Sequence, residues 1–202
     1  LLYNEHYDGR DAFVAGLQRS RDQVWALEKR LPGKAVVHDN LADMKDVLNN
    51  LIYQKGGWTL HMLRGLIGTD VFWDGIRDYY QQYRDRNTTT AEFRRIMEIH
   101  SNRDLKWFFD QWLTRAGHPV LDGTWRYDDA AKKIVIDLSQ VGDVYRLPLE
   151  VGVAGEGTAP MRIERIEMTQ RQQTFVIAAD KSPSSVKLDP NTWTLMEAKF
   201  GP

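Results

Sequence analysis

The sequence predicts an α+β protein of more than one domain, in which an α-helical part precedes an all-β sandwich. Apolar residues recur at helical spacing as far as about Trp112, and beyond Pro119 they alternate with a period of two. Six or seven short strands over the last 80 or so residues are typical of a β-sandwich. We therefore predict a helical domain over residues 1–119 and a β-sandwich domain over residues 120–202.

Two long helices open the predicted helical domain. The first has an apolar stripe that the sequence LPGK ends: Phe13, Leu17, Val24, Leu27 and Leu31. The second has a stripe that precedes a pair of glycines: Met44, Val47, Leu48, Leu51 and Ile52. Helical spacing continues beyond those glycines to Ile67. We expect Gly68 to end this helix and Thr69 to cap the next one.

Three further helices follow in the predicted helical domain. The third has one apolar stripe, which we expect to be buried: Phe72, Ile76, Tyr79, Tyr80 and Tyr83. Thr89 and Glu92 have the spacing of a capping box at the start of the fourth helix. Ser101 and Asp104 are predicted to open the fifth. Its inner face comprises Leu105, Phe108, Phe109, Trp112 and Leu113.

The second half is predicted to form short strands. The longest has strict apolar alternation: Tyr145, Leu147, Leu149, Val151 and Val153. Pro148 indicates that this backbone lies at a sheet edge. The alternation changes phase between Ile163 and Ile166, which predicts a β-bulge. Three shorter strands are marked by Ile134 to Leu138, Phe175 to Ile177 and Val186 to Leu188.

Composition excludes several classes of protein. The 202 residues carry a formal net charge of −1, which removes the usual electrostatic reason to expect nucleic acid or an anionic membrane as a partner. Cysteine is absent, so disulfides, thiolate metal ligands and a cysteine nucleophile are excluded. No apolar run of about 18 residues is present, so we expect no membrane span. The compartment stays open.

A metal or catalytic motif is not evident from residue chemistry alone. Five histidines are present, and no two of them lie three or four residues apart: His6, His38, His61, His100 and His118. The HEXXH motif is therefore absent, and we expect no metal site in these residues. Glu5 and His6 are adjacent, which places them on different sides of a helix. We interpret His61 and His100 as packed side chains.

One segment is unusual for a helix against a core. In LIYQKGGWTLHML, two glycines follow Tyr53 and Lys55. YQKG resembles the Tyr-x-Lys-Gly signature of the aminopeptidase N-type zinc peptidases, the gluzincin aminopeptidases. Three further blocks resemble that family in the same order: the MLR helix with its following G-x-x-x-F turn, the threonine-capped TTTAEF, and WFFDQWLTRAGHP. LLYNEHYDG resembles the tail of the helix that carries the third zinc ligand.

The resemblance assigns a catalytic role to Tyr53. In that family the tyrosine hydroxyl stands opposite the zinc and donates a hydrogen bond to the oxyanion that forms at the scissile carbonyl. A phenol suits this task because it is a neutral donor at neutral pH. The glycines are then explained by close approach of a peptide substrate and neighbouring loops to the backbone. For Lys55 we expect the simpler role of holding a neighbouring carboxylate.

The zinc site itself is not in these residues. The resemblance implies that HEXXH, the third ligand and the loop that binds the substrate amino group lie upstream of Leu1, and Glu5 does not replace them. The chain is thus expected to be the C-terminal portion of a zinc-dependent aminopeptidase that hydrolyses N-terminal residues from peptides. By itself the segment is expected to bind no zinc and to be inactive.

Two alternatives stay open. The first is a non-catalytic scaffold or partner-binding module derived from the same fold. The second is an unrelated helical protein, which requires Tyr53 to be buried with its hydroxyl bonded to backbone. We also expect apolar surface around Leu1–Tyr3, Trp58 and Trp73 to allow self-association of this segment.

Overall fold

The structure is a computed structural model, which describes residues 2–38, 48–155, 157 and 160–202. The chain forms two compact units, Leu1–Gly117 and His118–Pro202. The described helices lie in the first unit and the described strands in the second. The division falls between Gly117 and His118, two residues before the predicted boundary after Pro119.

Helices of the first unit follow the predicted stripes closely at the start of the chain. The described segments are α1 Leu2–Arg30, α2 Asn50–Ile67, α3 Thr69–Tyr83, α4 Thr90–Ser101 and α5 Lys106–Phe109, followed by a π-helical turn at Asp110–Thr114. Phe13, Leu17 and Val24 are fully buried on α1, as predicted. Gly9 interrupts this helix with a φ of 84°, a conformation that glycine adopts without strain.

The start of α2 differs from the prediction. Asn49 caps this helix, because its side-chain Oδ1 accepts hydrogen bonds from the backbone N–H groups of Leu51 at 2.9 Å and Ile52 at 3.4 Å. Leu48, predicted to be helical, therefore lies in a bend before the helix. The predicted helical positions Met44 and Val47 lie outside the described residues.

The junction between α2 and α3 is made by one glycine. Gly68 ends α2 with a φ of 95°, as predicted. It also occupies the N-cap position of α3, so Thr69 is the first residue of that helix and the prediction that Thr69 caps it is wrong.

Only part of the predicted stripe on α3 is buried. Phe72 is buried, but Tyr80 is 67% exposed. The buried contact instead includes Gly75, where an added Cβ would lie 2.6 Å from the Met97 Sδ on α4. A glycine at the contact lets the two helices approach closely.

The last two helices have caps that the sequence partly predicted. Thr89 and Glu92 form the predicted capping box, in which the Thr89 backbone N–H donates to the Glu92 carboxylate at 2.6 Å. Ser101 does not open α5, since it is the last residue of α4. Asp104 does contribute to the start of α5, because its Oδ1 accepts a hydrogen bond from the Lys106 backbone N–H at 2.9 Å.

The second unit contains two sheets. Its strands are β1 Val120–Asp128, β2 Lys133–Val141, β3 Leu147–Ala154, β4 Arg162–Met168, β5 Gln172–Ala178, β6 Ser185–Leu188 and β7 Glu197–Gly201. One sheet has the order β5-β2-β1-β7 and the other β4-β3-β6. Neighbouring strands are antiparallel except β1 and β7, which are parallel.

Predicted features of β3 and β4 have different outcomes. The alternating residues of β3 are buried as predicted. Pro148 pairs only with Glu167 of β4, because pairing with β6 covers Val151–Ala154 alone. The backbone at Pro148 is therefore a local edge of a central strand. The predicted bulge is wrong, since β3 and β4 pair residue for residue. The phase change arises because Ile163 lies on the exposed face.

Candidate active-site helix

Helix α2 has two chemically distinct faces. Its buried face includes Leu51, Lys55 and Trp58, which recur at helical spacing. Tyr53 lies on the opposite side with 66% of its surface exposed. Gly56 and Leu60 follow Tyr53 at i+3 and i+7, which places all three on one side of the helix. Trp58 itself is fully buried, and self-association through its surroundings stays a prediction.

Tyr53 occupies the first turn of α2 as its fourth residue. Its hydroxyl has no hydrogen-bond partner among the described residues. The unrelated-protein alternative required a buried Tyr53 bonded to backbone, and that expectation is wrong. The side chain projects from the N-terminal end of a helix, where the helix dipole favours negative charge.

Lys55 is completely buried on the other face of the helix. Its Nζ donates to the Glu28 carboxylate on α1 at 3.0 Å and to the Gly117 carbonyl at 2.6 Å, with a longer contact of 3.5 Å to the Arg115 carbonyl. Three acceptors thus match the three N–H groups of an ammonium. Burial lowers the pKa of Lys55 below its ordinary 10.5, against the opposing effect of the Glu28 carboxylate. Lys55 therefore holds a carboxylate, as expected.

A second buried cation fixes the far end of the same helix. Arg64 Nη1 donates to Glu5 Oε2 at 2.8 Å, and the other oxygen of that carboxylate accepts from Arg10 at 2.7 Å. Burial raises the pKa of Glu5, but the hydrogen bonds from Arg64 and Arg10 outweigh it and hold the pKa below 4.5. Glu5 thus forms two ion pairs, one with Arg10 beyond the Gly9 interruption of α1 and one with Arg64 of α2.

His61 and His100 are packed against neighbouring side chains, as predicted. His61 contacts the rings of Phe13 and Trp58 edge-on, and His100 forms a 2.9 Å hydrogen bond with Asp78. Within the described ranges, no three His, Asp or Glu side chains are placed to hold a metal ion together. None of the described helices combines the length and apolarity needed to cross a bilayer.

Both glycines of the motif face open space. A Cβ added at Gly56 or Gly57 would meet no described atom within 4 Å. The expectation that neighbouring loops approach these glycines closely is therefore wrong for the part of the chain that the structure describes. The expectation that a peptide approaches them stays a prediction.

A cleft of about 320 Å³ lies beside Gly56, and the sequence analysis did not predict it. Its apolar lining comprises Leu60, Tyr79, Phe93, Phe109 and Leu113. The hydroxyl-bearing lining comprises Thr59, Thr88, Thr89 and Thr90. Phe109 and Leu113 come from α5 and the π-helical turn, a local geometry that is frequent at functional sites. The only sign of this cleft in the sequence is that Gly56 and Leu60 are one helical turn apart and therefore share a side of α2.

The fold and the motif segment together define a protein related to the aminopeptidases. Residues 5–112 match the Peptidase family M1 domain, which is more than half of the chain. The chain therefore belongs to peptidase family M1.

Curated relatives include several aminopeptidases. The chain is 31% identical to aminopeptidase N of Streptomyces lividans over 103 residues, which are 49% of this chain and 12% of that protein. It is 26% identical to aminopeptidase N of Escherichia coli K12 over 156 residues, or 68% of this chain and 18% of that protein. It is 27% identical to glutamyl aminopeptidase of Bos taurus over 160 residues, which are 74% of this chain and 16% of that protein.

A solved structure shares the fold. Legionella pneumophila aminopeptidase A, determined in complex with aspartic acid, superposes with a TM-score of 0.71 at 16% identity. The match covers 82% of this chain and 20% of that one. The chain thus spans a fifth or less of the length of these relatives.

Proposed function

We propose that this chain is part of a longer zinc-dependent aminopeptidase, which removes N-terminal residues from peptides, and that Tyr53 stabilises the oxyanion of that reaction. The proposal rests chiefly on the exposed hydroxyl of Tyr53 in the first turn of α2, within the residues that match the family. In this motif Tyr53 and the unobstructed Gly56 lie on one side of the helix, and the buried Lys55 lies on the other.

The chemistry required of Tyr53 is limited and suits its position. When water adds to a peptide carbonyl, negative charge develops on the carbonyl oxygen, and a preorganised O–H donor stabilises that charge. The positive end of the α2 dipole acts in the same direction. Lys55 holds the opposite face of the helix and Arg64 holds its far end, so the tyrosine is carried on a rigid element.

No zinc ligand is assigned to the described residues. They contain no cluster of three metal-binding side chains, and Glu5 is engaged by two arginines. We propose, from the resemblance to the family, that the ligands belong to a part of the protein outside these 202 residues. When bound, zinc would polarise the scissile carbonyl and activate the attacking water.

The two units receive separate assignments. We propose that the helical unit is the remainder of the metallopeptidase catalytic domain and that the second unit is a β-sandwich domain. Burial of one set of alternating residues on β2 and on β3 supports the sandwich, because each sheet then has an apolar face to cover.

Replacing the Tyr53 hydroxyl tests the proposal directly. In the complete protein, Tyr53→Phe should lower kcat by about 10²- to 10³-fold, the scale of one oxyanion donor. Zinc content by metal analysis and the Tm should stay unchanged, because the hydroxyl contacts no described residue. Tyr80→Phe is the matched control, since Tyr80 is 67% exposed and lies on α3.

Two outcomes would count against this function. Equal turnover by Tyr53→Phe and Tyr80→Phe would remove Tyr53 from the mechanism. A complete protein that binds no zinc and cleaves no peptide of a varied panel would instead favour the non-catalytic scaffold.

A further inference from the structure

We propose that the cleft beside Gly56 binds an apolar side chain of the peptide substrate, on the C-terminal side of the bond that is cleaved. This inference rests on the proposed aminopeptidase function and assigns a subsite to it. The occupant is a neutral, apolar residue about two positions beyond the scissile bond.

The position of the cleft follows from the geometry of α2. Tyr53, Gly56 and Leu60 lie on one side of the helix, and a helix rises about 1.5 Å per residue. Gly56 is therefore about 5 Å and Leu60 about 10 Å along the axis from Tyr53. An extended peptide advances about 3.3 Å per residue. A peptide that runs along this face from Tyr53 thus brings its second or third following residue over the cleft.

The direction of the peptide follows from the reaction. An aminopeptidase leaves a single residue on the N-terminal side of the scissile bond. Any substrate residue two positions away from that bond must therefore lie on its C-terminal side.

The lining of the cleft selects the kind of side chain. Among the described residues that form it, none is charged, and its apolar side chains include Leu60, Phe93 and Phe109. The nearby start of α4 is already neutralised, because the Glu92 carboxylate accepts the Thr89 N–H. An acidic side chain of the substrate would find no cation in this lining, and a basic side chain would find no carboxylate. An apolar side chain gains burial.

Gly56 leaves one side of the cleft open because it has no side chain. Glycine is a poor helix former, and a Cβ at this position would meet no described atom within 4 Å. Packing within the described chain therefore does not require a glycine. Its neighbour Gly57 is equally unobstructed but does not line the cleft. The two glycines form a matched pair for an experiment.

The test compares Gly56→Leu with Gly57→Leu in the complete protein. Substrates are an aminoacyl amide, which ends at the scissile bond, and two tetrapeptides with Phe or Asp at the third residue. Wild type should show a higher kcat/KM for the Phe peptide. Gly56→Leu should lower that preference by about tenfold, the scale for one apolar group in a pocket. Gly57→Leu should leave the preference unchanged. The amide does not reach the cleft, so its kcat/KM reports whether either substitution disturbs the catalytic site itself.

Each contrary outcome has a distinct meaning. An unchanged Phe-to-Asp ratio in Gly56→Leu, with normal cleavage of the amide, overturns the subsite and leaves the proposed function intact. A lower Tm for Gly56→Leu but not for Gly57→Leu shows that another part of the complete protein fills the cleft, which also overturns the subsite. Absence of cleavage of all three substrates by wild type refutes the proposed function itself.

Discussion

The buried ammonium of Lys55 makes the stability of the helical unit sensitive to one substitution. Lys55→Met removes the donor that the Glu28 carboxylate and the Gly117 carbonyl share, while it keeps an unbranched side chain of similar length. The Glu28 side chain is only 10% exposed, so water cannot fully replace the lost partner. We expect a large loss of stability because a charge is then left in a poorly solvated place.

The magnitude can be bounded from the contact. Two unit charges 3.0 Å apart attract by about 5 to 6 kcal/mol at an effective dielectric constant of about 20. Desolvation of both ions offsets most of this attraction in the intact pair, but deletion of one partner leaves the desolvation of the other. Lys55→Met should therefore lower the free energy of unfolding by about 3 to 5 kcal/mol. Lys55→Met combined with Glu28→Leu should recover much of that loss.

Urea unfolding followed by circular dichroism at 222 nm measures this effect, since the described helices lie in the first unit. The control is Lys106→Met, which breaks the exposed ion pair with Asp110 on the same unit. That pair is 64% and 51% exposed at its two side chains, so its loss should cost about 0.5 kcal/mol or less.

Two results would refute the reasoning about Lys55. A loss below about 1 kcal/mol for Lys55→Met would show that the ammonium is not held as a buried, hydrogen-bonded charge. A double variant no more stable than Lys55→Met would show that the loss comes from packing rather than from the buried Glu28 carboxylate.

Further predictions concern the second unit and the acid range. Gly123→Ala should destabilise the second unit by about 1 to 3 kcal/mol, because a Cβ there would lie 2.4 Å from Leu138 Cδ2 and 2.8 Å from the Asp137 carbonyl. Gly201→Ala, where a Cβ would meet no described atom within 4 Å, should have little effect, and amide hydrogen exchange of β1 and β2 compares the two variants. Glu5 has a lowered pKa in the folded state, so its stabilising contribution is present above about pH 4.5 and is lost as the pH falls through the folded pKa. Unfolding free energies of Glu5→Gln should therefore fall less than those of wild type between about pH 6 and pH 3, and parallel curves would contradict this.

Several helical features were predictable because their causes are local. The α1 stripe, the end of α2 at Gly68 and the capping box at Thr89 and Glu92 depend on residues within a few positions of each other. Tyr80 was mispredicted because helical spacing alone does not say which side of α3 is buried. That side is set by packing against α4, which includes the contact of Gly75 with the sequence-distant Met97.

Strands were predicted where alternation is strong and missed where it is weak. The buried residues of β2 and β3 alternate clearly, and both strands were expected. No apolar pattern marked β1 or β7. Gly123 lies within β1, and β7 joins the sheet through parallel pairing with β1, beginning at Val120 and Glu197. Such pairing between distant segments supplies stability that local propensity does not reveal.

The sequence by itself determined the family, the helical and β halves and the prominence of Tyr53, because motif residues and apolar periods are readable along the chain. Only the tertiary structure decided that Lys55 turns inward to Glu28, that Tyr53 turns outward, and that Gly56 borders a cleft. The physical reason is that a helical period fixes which residues share a face, whereas the packing of other helices decides which face is buried.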